Sequence, residues 1–201
     1  MLDVAEHKLA RPEIYSSKSG LAFFKKTMGK RSNFERVEKD FYPTPPKAVI
    51  PLIPHISDII RYEEPCAGNG ALINTLKGYG KVCSRASDVE PQVNTIKTGD
   101  ATHQLSCMGE AFITNPPWSR DILHKIIVRL SNIAPTYLLF DADWAHTKQS
   151  APYMHLCKKI ISVGRVKWIE NSPYSGKDSC AWYQFDKNCT DKTIFVGRNG
   201  T

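Results

Sequence analysis

Four short strings in this 201-residue chain carry residues able to bind or react: Glu64 to Gly70 (EPCAGNG), Asp88 to Pro91 (DVEP), Thr98 to Asp100 (TGD) and Asn115 to Trp118 (NPPW). Gly68 and Gly70 would let backbone approach a ligand closely, and a helix starting there would offer it free N–H groups. The spacing is not GxGxxG and no GxxxxGK(S/T) string occurs, so neither a dinucleotide fingerprint nor a nucleoside triphosphatase loop is supported. An acid at the position of Asp88, closing a strand, can accept hydrogen bonds from two ribose hydroxyls. Asp100 closes the next strand. Taken singly, each acid also fits a solvated loop, and the glycines fit a plain tight turn. Pro116 and Pro117 lack an N–H and fix their own φ, so they stop a strand and stiffen the corner after it. That corner carries one amide, Asn115, and one large ring, Trp118; a strand-ending turn with a core Trp is the alternative.

Positioning these strings requires strands whose ends meet. Residues 58–65, 81–91, 93–101, 110–117 and 135–144 read as five strands in turn, the fifth an uninterrupted apolar run. Residues 67–80 run from a Gly-rich turn into a helix. Apolar residues at 122, 123, 126, 127 and 130 form a second helical stripe. Residues 40–56 predict a Pro-rich turn and a short helical segment, and 145–159 a further helix. Residues 159–170 and 180–186 predict two last strands paired as a hairpin. Strands alternating with helices imply an α/β fold with a doubly wound, mostly parallel sheet. In such sheets ligands bind at the carboxyl ends of the strands, where all four strings fall.

Composition narrows the class. Six cysteines without a CxxC pair, and no HExxH or EF-hand loop, leave a metal site without support. No apolar run approaches the ~20 residues of a membrane span, and the first residues lack the apolar core of a secretory signal. A soluble, cytoplasmic protein is expected. The net charge of +7 points to a polyanionic partner. Lys18, Lys25, Lys26, Lys30 and Arg31 occur without an intervening acid and alternate with Phe23, Phe24 and Phe34. Such a segment suits phosphate contact with base stacking, although a flexible basic tail or a docked helix has the same composition. Residues 1–39 are read as a basic extension and 40–201 as the catalytic domain.

EPCAGNGAL, SDVEP, TGDA and NPPW in this order resemble class I S-adenosylmethionine-dependent methyltransferases, and most of all the amino-methylating DNA adenine-N6 enzymes, small phage-type ones included. The resemblance spans about residues 40–186 and implies the Rossmann-like, seven-stranded, mostly parallel sheet of that class, with S-adenosylmethionine as cofactor and DNA as partner. It further implies a cytoplasmic setting, that of a host if the chain is phage-encoded. Carried over by motif, Glu64, Pro65, Ala67, Gly68 and Gly70 would line the cofactor. Asp88, or less fittingly Glu90, would hold the ribose and Asp100 the adenine amine. Tyr42 and Thr44, from DFYPTPP, would contact the methionine moiety. The Asn115 side-chain oxygen and the Pro116 carbonyl would take the two hydrogens of an exocyclic amine, freeing its lone pair from the ring. Pro117 would fix that carbonyl, and Trp118 would stack an extruded base.

Other chemistries fit poorly. The only Pro-Cys lies at 65–66, not at the fourth strand end where a cytosine-C5 enzyme needs its nucleophile, and no GxSxG elbow is present. RNA bases or protein glutamine remain alternative substrates, and a non-catalytic nucleic-acid-binding module of the same fold an alternative class. A target-recognition domain has no room between Asp100 and Asn115, which leaves the basic extension and the loops at 144–152 and 170–179 to select the target, or a partner.

Overall fold

The computed structural model describes residues 42–168, 176 and 178–198. The basic extension, with Lys18, Lys25, Lys26, Lys30 and Arg31, lies outside the described residues, as do Asp40, Phe41 and most of the loop at 170–179.

Prolines shape the first turns of the described residues. Pro46 opens α1 (Pro46–Val49), where a missing N–H costs nothing. Pro51 and Pro54 then keep Ile50–His55 in a 3-10 turn rather than an α-helix. Strand β1 (Arg61–Glu64) is followed by α2 (Ala71–Lys77), β2 (Val82–Asp88), β3 (Lys97–Thr98) and β4 (Ala111–Thr114). Helix α3 (Arg120–Ser131) lays Leu123, Ile126, Ile127 and Leu130 on the sheet. Each such side chain contributes about 1.5–3 kcal/mol by leaving water, which outweighs the weak propensity of its β-branched members. Strands β5 (Thr136–Asp141), β6 (Cys157–Arg165), β7 (Ser179–Phe185) and β8 (Ile194–Val196) complete one sheet, in the order β3-β2-β1-β4-β5-β7-β6-β8.

The first five strands pair in parallel, β7 runs antiparallel between β5 and β6, and β8 returns parallel to β6. Alternate residues serve two cores, one per face. Tyr62, Ile113, Leu139 and Trp182 join α1 and α2 on one side, while Phe112, Leu138, Phe140 and Tyr183 join α3 and Trp144 on the other. The first core is tied across the chain: the Trp182 indole N–H donates to the Ala48 carbonyl, 2.8 Å away and 134 positions earlier.

The doubly wound α/β sheet is as expected, with two corrections. Among the described residues the sheet has eight strands rather than seven. The extra strand, β8, pairs Ile194 with Lys159 and Val196 with Ile161, and the Thr193 hydroxyl donates to the Cys157 carbonyl at 2.7 Å. Residues 145–159 form no α-helix; 3-10 turns Ala142–His146 and Ala151–Leu156 lead straight into β6. Pro152 supplies no N–H, and the Ser150 hydroxyl donates to the Ala145 and Thr147 carbonyls, occupying acceptors a helix would use.

The strand order reverses between β1 and β4. Their neighbouring carboxyl ends, Glu64 and Thr114, therefore open onto the crevice that this topology reserves for ligands.

Candidate functional site

Between β1 and α2 the chain turns through Gly68 at φ 52° and Gly70 at φ 79°, left-handed conformations costly for residues with a Cβ. The Ala67 amide donates to the Ser87 carbonyl at 2.9 Å, and the Gly68 amide to Asp88 Oδ2 at 2.8 Å. The Glu90 amide donates to Asp88 Oδ1, also at 2.8 Å. One carboxylate thus pins two strand ends together, and each oxygen keeps a lone pair for a further donor.

Glu63 and Glu64 are adjacent in β1 and face opposite sides of the sheet. Glu63 is fully buried and satisfied: Arg85 Nε lies 2.5 Å away, the Met108 amide 2.9 Å, and Gln104 Nε2 also donates to it. Glu64 is equally buried, yet its Oε2 has no hydrogen-bond partner among the described residues. Burial, with Asp88 adding repulsion, pushes the Glu64 carboxyl well above the usual range. A buried acid with one idle oxygen is a receptor for a donor or a cation, and Glu64 is among the residues that line the cleft.

Asp100 caps the 3-10 turn Ala101–His103, accepting from the Thr102 amide at 2.8 Å and the Thr102 hydroxyl at 2.7 Å. Partial burial opposes its charge, but these bonds and His103, 2.9 Å away, hold the carboxyl below its ordinary value.

At the end of β4 the Asn115 carboxamide is held on both sides. Its Nδ2 donates to the Thr44 hydroxyl at 3.1 Å and reaches the Tyr42 carbonyl at 3.5 Å. Its Oδ1 accepts from the Trp118 indole N–H at 3.2 Å. Trp118 in turn meets Trp168 edge-on, ring centres 5.6 Å apart, and Trp168 lies 6.5 Å from Tyr42. Asp141, at the end of β5, is occupied elsewhere, by Arg120 at 2.6 Å.

These ends enclose a cleft of about 570 Å³, the size that suits a small-molecule ligand. Glu64, Pro65, Ala67, Gly68, Asp88 and Asp100 line it. Tyr42, Thr44, Asn115 and Pro117 line it as well. Three of the expected residues lie off the wall. Gly70 serves as the N-cap of α2, Pro116 is buried behind the corner, and Trp118 stands behind Asn115.

The cleft also holds residues that the motifs do not single out, chiefly Val89 and Ile122, 59% and 44% exposed. Ile122 carried a signal: it is the member of the α3 stripe that lies outside the buried arc. Val89, between two acids, carried none. Lys125 and His103 are further unanticipated members of the wall. Among the described residues no helix is long and apolar enough to cross a membrane, and no group of three or more His, Cys, Asp or Glu could hold a metal ion.

The sequence matches no family model and no curated protein. Solved structures do match. A candidate RNA methyltransferase from Pyrococcus horikoshii aligns over 74% of this chain and 87% of its own, with TM-score 0.51 and 16% identity. A candidate class I S-adenosylmethionine-dependent methyltransferase from Listeria monocytogenes aligns over 84% and 68%, with TM-score 0.52 and 12% identity. The chain has the class I methyltransferase fold. A structure of a type I restriction–modification system aligns over 83% of this chain at TM-score 0.54 and 13% identity, but this chain spans only 46% of that one.

Proposed function

We propose that this protein binds S-adenosylmethionine in the cleft between β1 and β4 and transfers its methyl group to the N6 amine of adenine in DNA. The observation that carries the proposal is the shared cleft: Asn115 lines the same space as Glu64, one of whose carboxyl oxygens is unpartnered, and Asp88. The wall fits that cofactor chemically. The Glu64 carboxyl suits the ammonium of the methionine end, and the spare lone pairs of Asp88 suit ribose hydroxyls. The exposed apolar faces of Val89 and Ile122 suit a flat aromatic base. Bound there, S-adenosylmethionine would supply a methyl group on a sulfonium, whose departure as a neutral thioether drives transfer.

What the chain must add is orientation and charge. An aromatic amine is a poor nucleophile while its lone pair conjugates with the ring. Oδ1 of Asn115 would accept one amine hydrogen and draw the nitrogen toward a tetrahedral form; the Pro116 carbonyl would accept the other only once the buried corner presents it to the substrate. Transfer would form a nitrogen–carbon bond at the expense of the carbon–sulfur bond, and the product amine would lose one proton to solvent. Pro117 has no N–H to compete for the acceptors.

DNA as substrate draws support from the Asn-Pro-Pro-Trp string and from the likeness to a restriction–modification structure. The basic segment holding Lys18, Lys25, Lys26, Lys30 and Arg31 would track the phosphates. RNA is the second reading, favoured by the likeness to the Pyrococcus horikoshii protein. Because the chain spans less than half of the restriction–modification chain, target selection by a partner subunit belongs to the proposal. The test is transfer of label from S-adenosylmethionine to unmethylated DNA and to RNA in parallel, with digestion to nucleosides. N6-methyladenine in DNA is expected, with Asn115→Ala at least a hundredfold slower. Label in RNA alone would move the substrate, and label in neither would overturn the proposal.

A further inference from the structure

The Asn115 carboxamide can sit in two orientations that differ only by exchange of its oxygen and nitrogen, and only one of them presents an acceptor to an amine. Its neighbours decide between them. An indole N–H can only donate and a backbone carbonyl can only accept. With Oδ1 toward Trp118 Nε1 at 3.2 Å and Nδ2 toward the Tyr42 carbonyl and the Thr44 hydroxyl, every contact pairs a donor with an acceptor. The flipped amide would set two N–H groups against each other at Trp118 and two oxygens against each other at Tyr42. Unsatisfied pairs of that kind at a half-buried site are strongly disfavoured.

The donor is itself packed in place. Trp118 is partly buried, packs against both cores of the sheet, and is braced edge-on by Trp168. It follows Pro117, whose φ is fixed. The indole is also not part of the cleft wall, whereas Asn115 and Pro117 are.

From this geometry we infer that Trp118 is a positioning residue: its indole N–H fixes the Asn115 carboxamide with the oxygen outward, and Trp168 holds the indole in place. The inference rests on the proposed amine methylation and assigns Trp118 a part different from base stacking. One lone pair of Oδ1 is used by Trp118, and the other remains for the substrate amine. Thr44 gains a second part in the same way, as the acceptor that anchors the nitrogen.

The discriminating variant is Trp118→Phe, which keeps an aromatic face and removes the N–H. A stacking ring survives this change; an orienting donor does not. The expected result is a fall in kcat of about tenfold, with KM for DNA and Kd for S-adenosylmethionine within about twofold of the parent. Unchanged cofactor binding also shows that the variant folds. A second measurement is independent of turnover. In ¹⁵N-labelled protein, Asn115→Leu should move the Trp118 indole N–H resonance and quicken its exchange with water, leaving those of Trp144 and Trp182 in place. An unchanged kcat in Trp118→Phe, a loss confined to KM for DNA, or an indole resonance indifferent to Asn115→Leu would overturn the inference. If the parent protein labels neither DNA nor RNA, the methylation proposal fails, and the resonance alone decides whether Trp118 holds Asn115.

Discussion

Glu63 and Glu64 differ by one position and have opposite economies. The first is neutralised by Arg85 and two further donors, and the second is left with an idle oxygen beside Asp88. A raised carboxyl favours the protonated form in the fold, while the unfolded chain ionises near 4.5. Glu64 therefore costs stability as pH rises above that value, until the folded carboxyl itself ionises. Glu64→Gln is expected to raise Tm at pH 7 and to weaken S-adenosylmethionine binding at least tenfold, measured by thermal melts and calorimetry on the same preparation. A variant that is neither more stable nor weaker in binding would remove Glu64 from the proposed site. The types and order of Glu64, Asp88, Asp100 and Asn115 were legible in the sequence because each sits in a short string at a strand end. That Trp118 turns its N–H onto Asn115 was not, since the partner is chosen by the ring's packing on Trp168, fifty positions away.

Among the elements, strands with long apolar runs or clear punctuation were readable, and β4, ended by its prolines, was the plainest. The two misread segments lack such marks. β8 is three residues long with Ile194 and Phe195 exposed, so no alternation announces it. The stretch 145–159 has helix-compatible residues but is governed by Pro152 and Ser150. The turn before it holds a pH-sensitive contact. Trp144, buried, donates its indole N–H to His124 Nε2 at 3.1 Å, and His124 stacks on Tyr153 with centres 4.4 Å apart. Nε2 must therefore be unprotonated. Burial, then the Arg120 charge, lowers the His124 pKa against a smaller opposing pull from Asp121, and burial with Lys159 lowers that of His55. For a lowered histidine the unfolded chain binds the proton first. The stabilising contribution is thus complete above about pH 6.5 and is lost as pH falls toward the folded values. Urea midpoints measured between pH 5 and 8 should fall on the acid side, and His124→Gln should flatten that fall. An equally steep fall in the variant would exclude His124 as its source.

At the scale of the whole molecule, charge and topology act over longer ranges than any motif. If the basic segment tracks phosphates, binding to DNA should weaken steeply with salt. Replacing Lys18, Lys25, Lys26, Lys30 and Arg31 by Gln should then reduce the slope of log K against log salt by as much as about 4.5, with kcat at saturating DNA preserved. An unchanged slope would assign the phosphate contacts elsewhere.

The clamp between Trp182 and the Ala48 carbonyl has a consequence for synthesis. Residues 42–49 reach the cytosolic side of a ribosome long before the indole that holds α1 exists. At 5–20 residues per second, the 134 positions from Ala48 on to Trp182 take on the order of ten seconds to make. β7, which carries that indole, must also slot between β5 and β6 before the sheet closes. The cleft end lined by Tyr42 and Thr44 is therefore translated well before it is fastened. A nascent chain stalled before Trp182 should still expose that end to protease, and one released past Phe185 should not.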